Sequence, residues 1–205
     1  MTKTVWIVRH GNRLDFVYPE WFETATRRYD PPLAEDGFIQ ANKLALRLAS
    51  EKIDHIFTSP FLRAIQTAYP VTEALDLPLK IEAGLSEWLN PDWMTENPET
   101  HPKEILERDY PRLDWSYQSS VIPQYPESEA QVKKRTQTTI LKLVEKYPGN
   151  LLLVAHSMSV FGMSLGLVGG NPSLNLDLGC LVKIVSNREQ WEIQLNGDTS
   201  YLDCD

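Results

Sequence analysis

Cysteine is nearly missing from this chain: 205 residues contain two, Cys180 in an expected strand and Cys204 at the tail. So placed, they make neither a disulfide framework nor a zinc-ligand pattern, and they fit a reducing, cytoplasmic setting. Long apolar runs are missing as well. No stretch approaches the roughly 18 apolar residues of a membrane span, and Leu151 to Val154 is soon stopped by His156. The chain enters a β-type run, Thr4-Val5-Trp6-Ile7-Val8, with no basic region, apolar stretch or cleavage site ahead of it, so a secretory signal is not expected. An excess of positive charge is also lacking. Lys and Arg number 20 against 28 Asp and Glu, a formal net charge of −8. Nucleic acid and anionic lipid both recruit surface Lys and Arg to their phosphates, so neither partner is expected, and any anionic ligand needs a local cationic pocket. Several catalytic signatures are absent too. There is no Gly-x4-Gly-Lys-Ser/Thr loop and no His-Glu-x-x-His. A Cys-x5-Arg loop fails because Ser186 stands at the required distance from Cys180, and the one Asp-x-Asp, Asp203-Cys204-Asp205, has no strand to present it.

The chain does have the length and the 42% hydrophobic content of one compact domain, residues 1–205. Short β-branched runs alternate with amphipathic stretches, which predicts an α/β fold: a three-layer α/β/α sandwich around a mostly parallel sheet. Strands are expected at Thr4–Val8, Ile53–Thr58, Leu151–Ala155 and Leu181–Val185, with an edge strand near Trp191–Leu195. One helix is expected over Ala34–Ser50, with Phe38, Ala41, Ala45 and Leu48 inward. A second runs from Pro60 toward Leu75, kinked at Pro70. A third covers Ser128–Tyr147, opened by the capping-box residues Ser128 and Gln131. Two segments rich in proline and aromatics, 15–32 and 91–126, read as functional loops, the second a lid-like insertion.

Three strand ends carry the candidate chemistry. Arg9-His10-Gly11 closes the first strand, and ligands bind at the carboxyl ends of strands in open α/β sheets. Arg9 offers a planar fork for phosphate oxygens, and Gly11 lets an oxyanion approach the backbone. Ser59-Pro60-Phe61-Leu62-Arg63 follows the second strand and sets Arg63 in the first turn of a helix, where anions are already favoured. Leu151–Ala155 ends in His156-Ser157. Singly, each has a plain structural reading; three strands ending in Arg-His, Ser-Pro-x-x-Arg and Ala-His are much harder to dismiss together. His55 and His101 read as structural or exposed, and Lys133-Lys134-Arg135 as a solvated helix face.

Val8-Arg9-His10-Gly11, Ser59-Pro60 with Arg63 and Gln66-Thr67, and Val154-Ala155-His156 resemble, in order, the three core motifs of the histidine phosphatase superfamily. Leu33-Ala34-Glu35-Asp36-Gly37 with Gln40-Ala41, Pro126-Glu127-Ser128 and Gly197-Asp198-Thr199-Ser200 extend the likeness over nearly the whole chain. Arg9-His10-Gly11-Asn12-Arg13-Leu14-Asp15, Asp30-Pro31-Pro32-Leu33 and Glu87-Trp88 look most like the branch of TULA-type and ecdysteroid-phosphate phosphatases. Asn12 stands where that branch commonly has Glu, and Ser157 where Gly is usual. The resemblance implies a phosphoglycerate-mutase-like fold and hydrolysis of a phosphate monoester, on a small molecule or a phosphopeptide, through phosphohistidine on His10. It also implies Arg9, Arg63, His156 and Arg13 around the phosphate, with Ser59 and Ser157 beside them, and no metal or other cofactor. Glu87 reads on position alone as a solvated loop carboxylate; the resemblance makes it the acid for the leaving oxygen and then the base for water. Mutase or bisphosphatase chemistry is the rival enzyme reading, although the Ser and Asn of the mutase pattern are absent, and a silent phospho-ligand binding module is the non-enzymatic one. Nothing in the sequence speaks to oligomeric state.

Overall fold

Apolar side chains on both sides of the first strand dictate where the layers go. In the structure of the protein, a computed structural model describing residues 2–187 and 190–203, β1 spans Lys3–Arg9, and its Val5, Trp6, Ile7 and Val8 are all fully buried. The chain continues through the short helices α1 (Leu14–Val17) and α2 (Trp21–Thr24), then α3 (Glu35–Leu48), β2 (His55–Thr58), α4 (Leu62–Leu75) and β3 (Leu79–Ile81). Next come α5 (Lys103–Asp109), α6 (Glu129–Lys146), β4 (Leu151–Ala155), α7 (Ser157–Val168), β5 (Leu181–Asn187) and β6 (Gln190–Asp198). One sheet has the order β3-β2-β4-β1-β5-β6. Its first four strands are parallel, and β5 and β6 close one edge antiparallel.

Trp6 and Val8 face α3 and α4, packing with Leu44, Leu48, Ala64, Ile65 and Ala68. Val5 and Ile7 face α6 and α7, packing with Ile140, Leu143, Val160 and Met163. Strands covered on both faces need continuous apolar runs, which is why β1 and β4 stand out in the sequence. Trp6 heads the large side chains that are fully buried; truncating so large a core residue to alanine costs ~3–5 kcal/mol.

Several expectations move by a residue or two. Phe38 is 43% exposed; the inward face of α3 is Gly37, Ala41, Leu44, Ala45 and Leu48. The helix after Ser59 begins at Leu62 rather than Pro60 and runs on across Pro70 to Leu75. The capping box forms as expected, with the Ser128 hydroxyl accepting from the Gln131 amide and the Gln131 side chain accepting from the Ser128 amide. The cluster Lys133-Lys134-Arg135 is not one solvated face: Arg135 is buried and ion-paired with Glu127 at 2.6 Å. Cys180 is a buried free thiol, whereas Cys204 and Asp205 lie outside the described residues. Among the described residues no helix is long and apolar enough to cross a membrane.

The two irregular segments are tied down. Leu106 and Leu113 of the 91–126 segment enter the core beside α4. The fully buried Glu82 carboxylate accepts from the Tyr117 hydroxyl (2.5 Å) and from the amides of Ser120 (2.7 Å) and Val121 (3.3 Å). Asp30, also fully buried, accepts from the Leu62 amide at 2.7 Å, serving the free N-terminus of α4 from a distance, and faces His101 at 2.9 Å. His101 therefore links one irregular segment to the other.

Candidate active site

The parallel register sets Arg9 beside Ala155 and Thr58 beside Val154. The ladder extends one residue further, through His10 N–H to Ala155 O and Ser59 N–H to Val154 O, both 3.0 Å. His10, Ser59 and His156 thus leave three neighbouring strands together, and the His10 and His156 rings meet edge to face with centroids 5.1 Å apart.

The His10 ring is buried, and its Nδ1 lies 2.8 Å from the Gly11 carbonyl oxygen. A carbonyl only accepts, so Nδ1 carries the proton and Nε2 keeps the lone pair. Burial, then the Arg63 cation and His156, hold the ring well below the usual imidazole range, so it is neutral at physiological pH. Gly11 also has a packing reason. A Cβ there would come 2.9 Å from the Gly37 carbonyl oxygen, and one on Gly37 would come 2.1 Å from the Asn12 carbonyl oxygen. The pair of glycines lets the loop after β1 lie against α3, where Asn12 N–H donates to Gln40 Oε1 at 2.7 Å. Gly11 N–H donates to Thr67 Oγ1 at 3.0 Å.

Arg63 is fully buried and holds the centre of the site. Its Nε donates to His10 Nε2 at 3.3 Å, and its Nη2 lies 3.3 Å from His156 Nδ1 and 3.4 Å from Glu87 Oε2. Burial, followed by the nearby Arg13, lowers its pKa to about 10, which leaves it a cation at neutral pH. Glu87 Oε2 is also 3.3 Å from His156 Nδ1, while Oε1 accepts from the Trp88 amide at 2.9 Å. Burial alone would push this carboxyl up, but the facing imidazole and the Arg63 guanidinium outweigh it, so Glu87 sits well below the usual carboxylate range. His156 is pushed down to about 4, chiefly by burial, against the raising effect of Glu87. Its Nε2 meets Ser59 Oγ at 2.8 Å.

Arg9 donates from Nη1 to the Leu176 carbonyl at 2.6 Å, but its buried Nε finds no partner among the described residues. Arg13 is less available than expected, because Asp15 grips it through two hydrogen bonds of 2.6 and 2.5 Å. Arg9, Arg13, Arg63, Glu87 and Ser157 line one cleft of about 480 Å³, whose remaining wall includes Phe16, Phe22, Arg28, Tyr29, Trp88, Trp93, Met94 and Met158. Within it, Phe16, Arg28 and the two methionines carry no signal in the sequence, since nothing in their spacing marks them off from surface residues.

No spacing in the sequence suggests metal ligands, yet His10, Glu87 and His156 offer ligand atoms within 4.8 Å of one another. Each of those atoms is also within hydrogen-bonding reach of the Arg63 guanidinium. A fixed cation thus already stands where such a triad would hold an ion.

The model of the histidine phosphatase superfamily (branch 1) matches residues 5–199. The ecdysteroid-phosphate phosphatase of Drosophila melanogaster is 33% identical over 83% of this chain, which spans only 27% of that protein's length. A probable phosphoglycerate mutase GpmB of Yersinia enterocolitica is 30% identical, covering 97% of this chain and 94% of its own. Among solved structures, the ecdysone phosphate phosphatase of Bombix mori, in complex with tungstate, superposes with a TM-score of 0.77 at 21% identity, over 93% of this chain and 91% of that one. At that identity the likeness is one of fold.

Proposed function

Because the chain belongs to the histidine phosphatase superfamily, branch 1, we propose that it is a metal-independent phosphatase that hydrolyses a phosphate monoester through phosphohistidine on His10. The observation that carries this reading is the state of His10: neutral, with Nδ1 fixed by the Gly11 carbonyl and Nε2, the atom that keeps the lone pair, held against the Arg63 guanidinium that lines the cleft. The phosphate sits among Arg9, Arg63, His156 and Arg13, with Ser59 and Ser157 beside them, and Nε2 attacks phosphorus in line with the leaving oxygen. As the N–P bond forms, positive charge on the ring is met by the Gly11 carbonyl. The leaving oxygen takes a proton from Glu87; water then attacks phosphohistidine and returns a proton to Glu87, releasing phosphate. Glu87 is ionised at neutral pH, so the proton enters with the substrate, whose monoanion loses its second proton near pH 6. Arg63 supplies the charge that a metal ion would otherwise supply.

The organic half of the substrate faces Phe16, Phe22, Trp88 and Trp93. Walls of this kind favour an apolar leaving group, on a small molecule or a peptide side chain. The 91–126 insertion acts as the cover, through Trp93 and Met94. The full-length likeness to the Yersinia enterocolitica protein supports a second reading, phosphoryl transfer to a phosphoglycerate. Protein incubated with ³²P-labelled substrate and quenched in alkaline detergent distinguishes the outcomes. An acid-labile, base-stable label that disappears in His10→Ala supports the mechanism; a label retained in that variant refutes it. Label passing to added phosphoglycerate rather than to water favours the mutase.

A further inference from the structure

The Arg135 guanidinium has five N–H groups, the full complement of the side chain, and each meets an acceptor. Nε donates to Glu127 Oε1 at 2.6 Å, and Nη2 to Glu127 Oε2 at 2.7 Å. The other three bonds go to the backbone that carries Glu87: from Nη1 to the carbonyls of Gly84 (2.9 Å) and Ser86 (3.1 Å), and from Nη2 to that of Glu87 itself (3.0 Å). Glu127 grips the same segment from its far side. Its main-chain N–H donates to Leu89 O (2.8 Å), its Oε2 accepts from the Leu89 amide (3.3 Å) and its carbonyl from Trp88 Nε1 (2.8 Å). Both side chains are at least 95% buried.

We infer that the Arg135–Glu127 pair is a positioning device that fixes where the Glu87 carboxylate stands relative to His156 and Arg63. The inference rests on the proposed proton-transfer role of Glu87. A buried ion pair is not a strong source of stability, since apolar replacement of both partners is often neutral or stabilising. Three directed bonds on one turn of backbone, from a fork that two more bonds hold on Glu127, do constrain position, and a 1 Å misplacement of a reacting group costs ~10²-fold in rate. Lysine, with three donors from one point, cannot reproduce the fork.

Arg135→Lys should lower kcat on an alkyl phosphate by ~10–10²-fold, change kcat on p-nitrophenyl phosphate much less, and leave KM for both within about threefold, the pattern of a step that a proton assists. Where Arg135→Lys fails to fold, Glu127→Leu/Arg135→Met removes both charges and keeps the test open. Each variant is also made in a Glu87→Gln background. The inference requires the alkyl-specific loss to vanish there. A loss that persists unchanged in that background, or no alkyl-specific loss while Glu87→Gln alone shows one, overturns the positioning role. Absence of any alkyl-specific loss in Glu87→Gln itself would instead overturn the reading of Glu87.

Discussion

Replacing Arg63 with alanine removes a cation that faces His10, His156 and Glu87 together, at 3.3, 3.3 and 3.4 Å. The side chain is fully buried, so little solvent screens its charge from a transferring phosphoryl group. Loss of one preorganised charge-stabilising donor costs about 2.7–4 kcal/mol of transition-state stabilisation, or ~10²–10³-fold in kcat/KM. Arg13 is the control. It lines the same cleft, but its fork is already engaged by Asp15 through two bonds of 2.6 and 2.5 Å, so the pair presents little net charge to a ligand. Arg13→Ala should therefore cost ~1 kcal/mol or less, the scale of a partly exposed ion pair. The assay is kcat/KM on p-nitrophenyl phosphate, with the vanadate inhibition constant as a second readout and thermal melting to confirm that Arg63→Ala folds. A larger loss at Arg13 than at Arg63, in folded proteins, would refute the assignment of Arg63 as the central cation.

Glu87→Gln should depress alkyl phosphate hydrolysis by ~10²–10⁴-fold while sparing aryl hydrolysis, because only the alkoxide needs a proton; equal losses on the two substrates would mean that Glu87 orients water or the loop instead. EDTA should leave the rate unchanged and vanadate or tungstate should inhibit, whereas activity lost on chelation and restored by added metal would overturn metal independence. Stability should fall on acidification through His156. Its pKa is about 4 when folded against about 6.5 when unfolded, so between those values the unfolded chain binds the extra proton and is favoured. Every pH step of one across that window removes ~1.4 kcal/mol, so from pH 7.5 to 4.5 the native protein should lose ~2–3 kcal/mol more than His156→Gln in urea titrations. Parallel losses in the two proteins would contradict a neutral, buried His156.

Strands β1 and β4 are legible in the sequence almost to the residue because both faces are covered and the buried stretches, Val5 to Val8 and Leu151 to Ala155, are apolar throughout. β3 escapes such a reading since three residues, Leu79-Lys80-Ile81, are too short to show a period. α7 carries no polar stripe, so it lacks the amphipathic signature of a surface helix. At the site, His10, Ser59, Arg63 and His156 can be placed because each follows a readable strand, and strand ends converge. Gln66 and Thr67 gain their reasons only in three dimensions, where Gln66 accepts from the Leu33 amide at 2.8 Å and Thr67 from that of Gly11 at 3.0 Å. Arg135 is hidden for the same cause. Its partners are Glu127 and three carbonyls about fifty residues upstream, and nothing local separates it from the neighbouring Lys133 and Lys134.

The charges of the cleft also explain how a chain of net charge −8 can receive an anion. Four arginines line the cleft. Arg13 is balanced by Asp15 and Arg63 by Glu87, while Arg9 and Arg28 have no carboxylate partner among the described residues. The cleft therefore keeps roughly two cations unbalanced, which matches the dianion left once an entering phosphate monoanion has passed its proton to Glu87. Phosphate arriving beside Glu87 adds negative charge next to a carboxylate that His156 and Arg63 had kept ionised, which raises the affinity of Glu87 for a proton. Once protonated, Glu87 no longer balances Arg63, and the guanidinium is left to the transferring oxygens. In the proposed mechanism, the acid that serves the leaving group and the cation that stabilises the phosphoryl group become available in the same event, binding of the substrate.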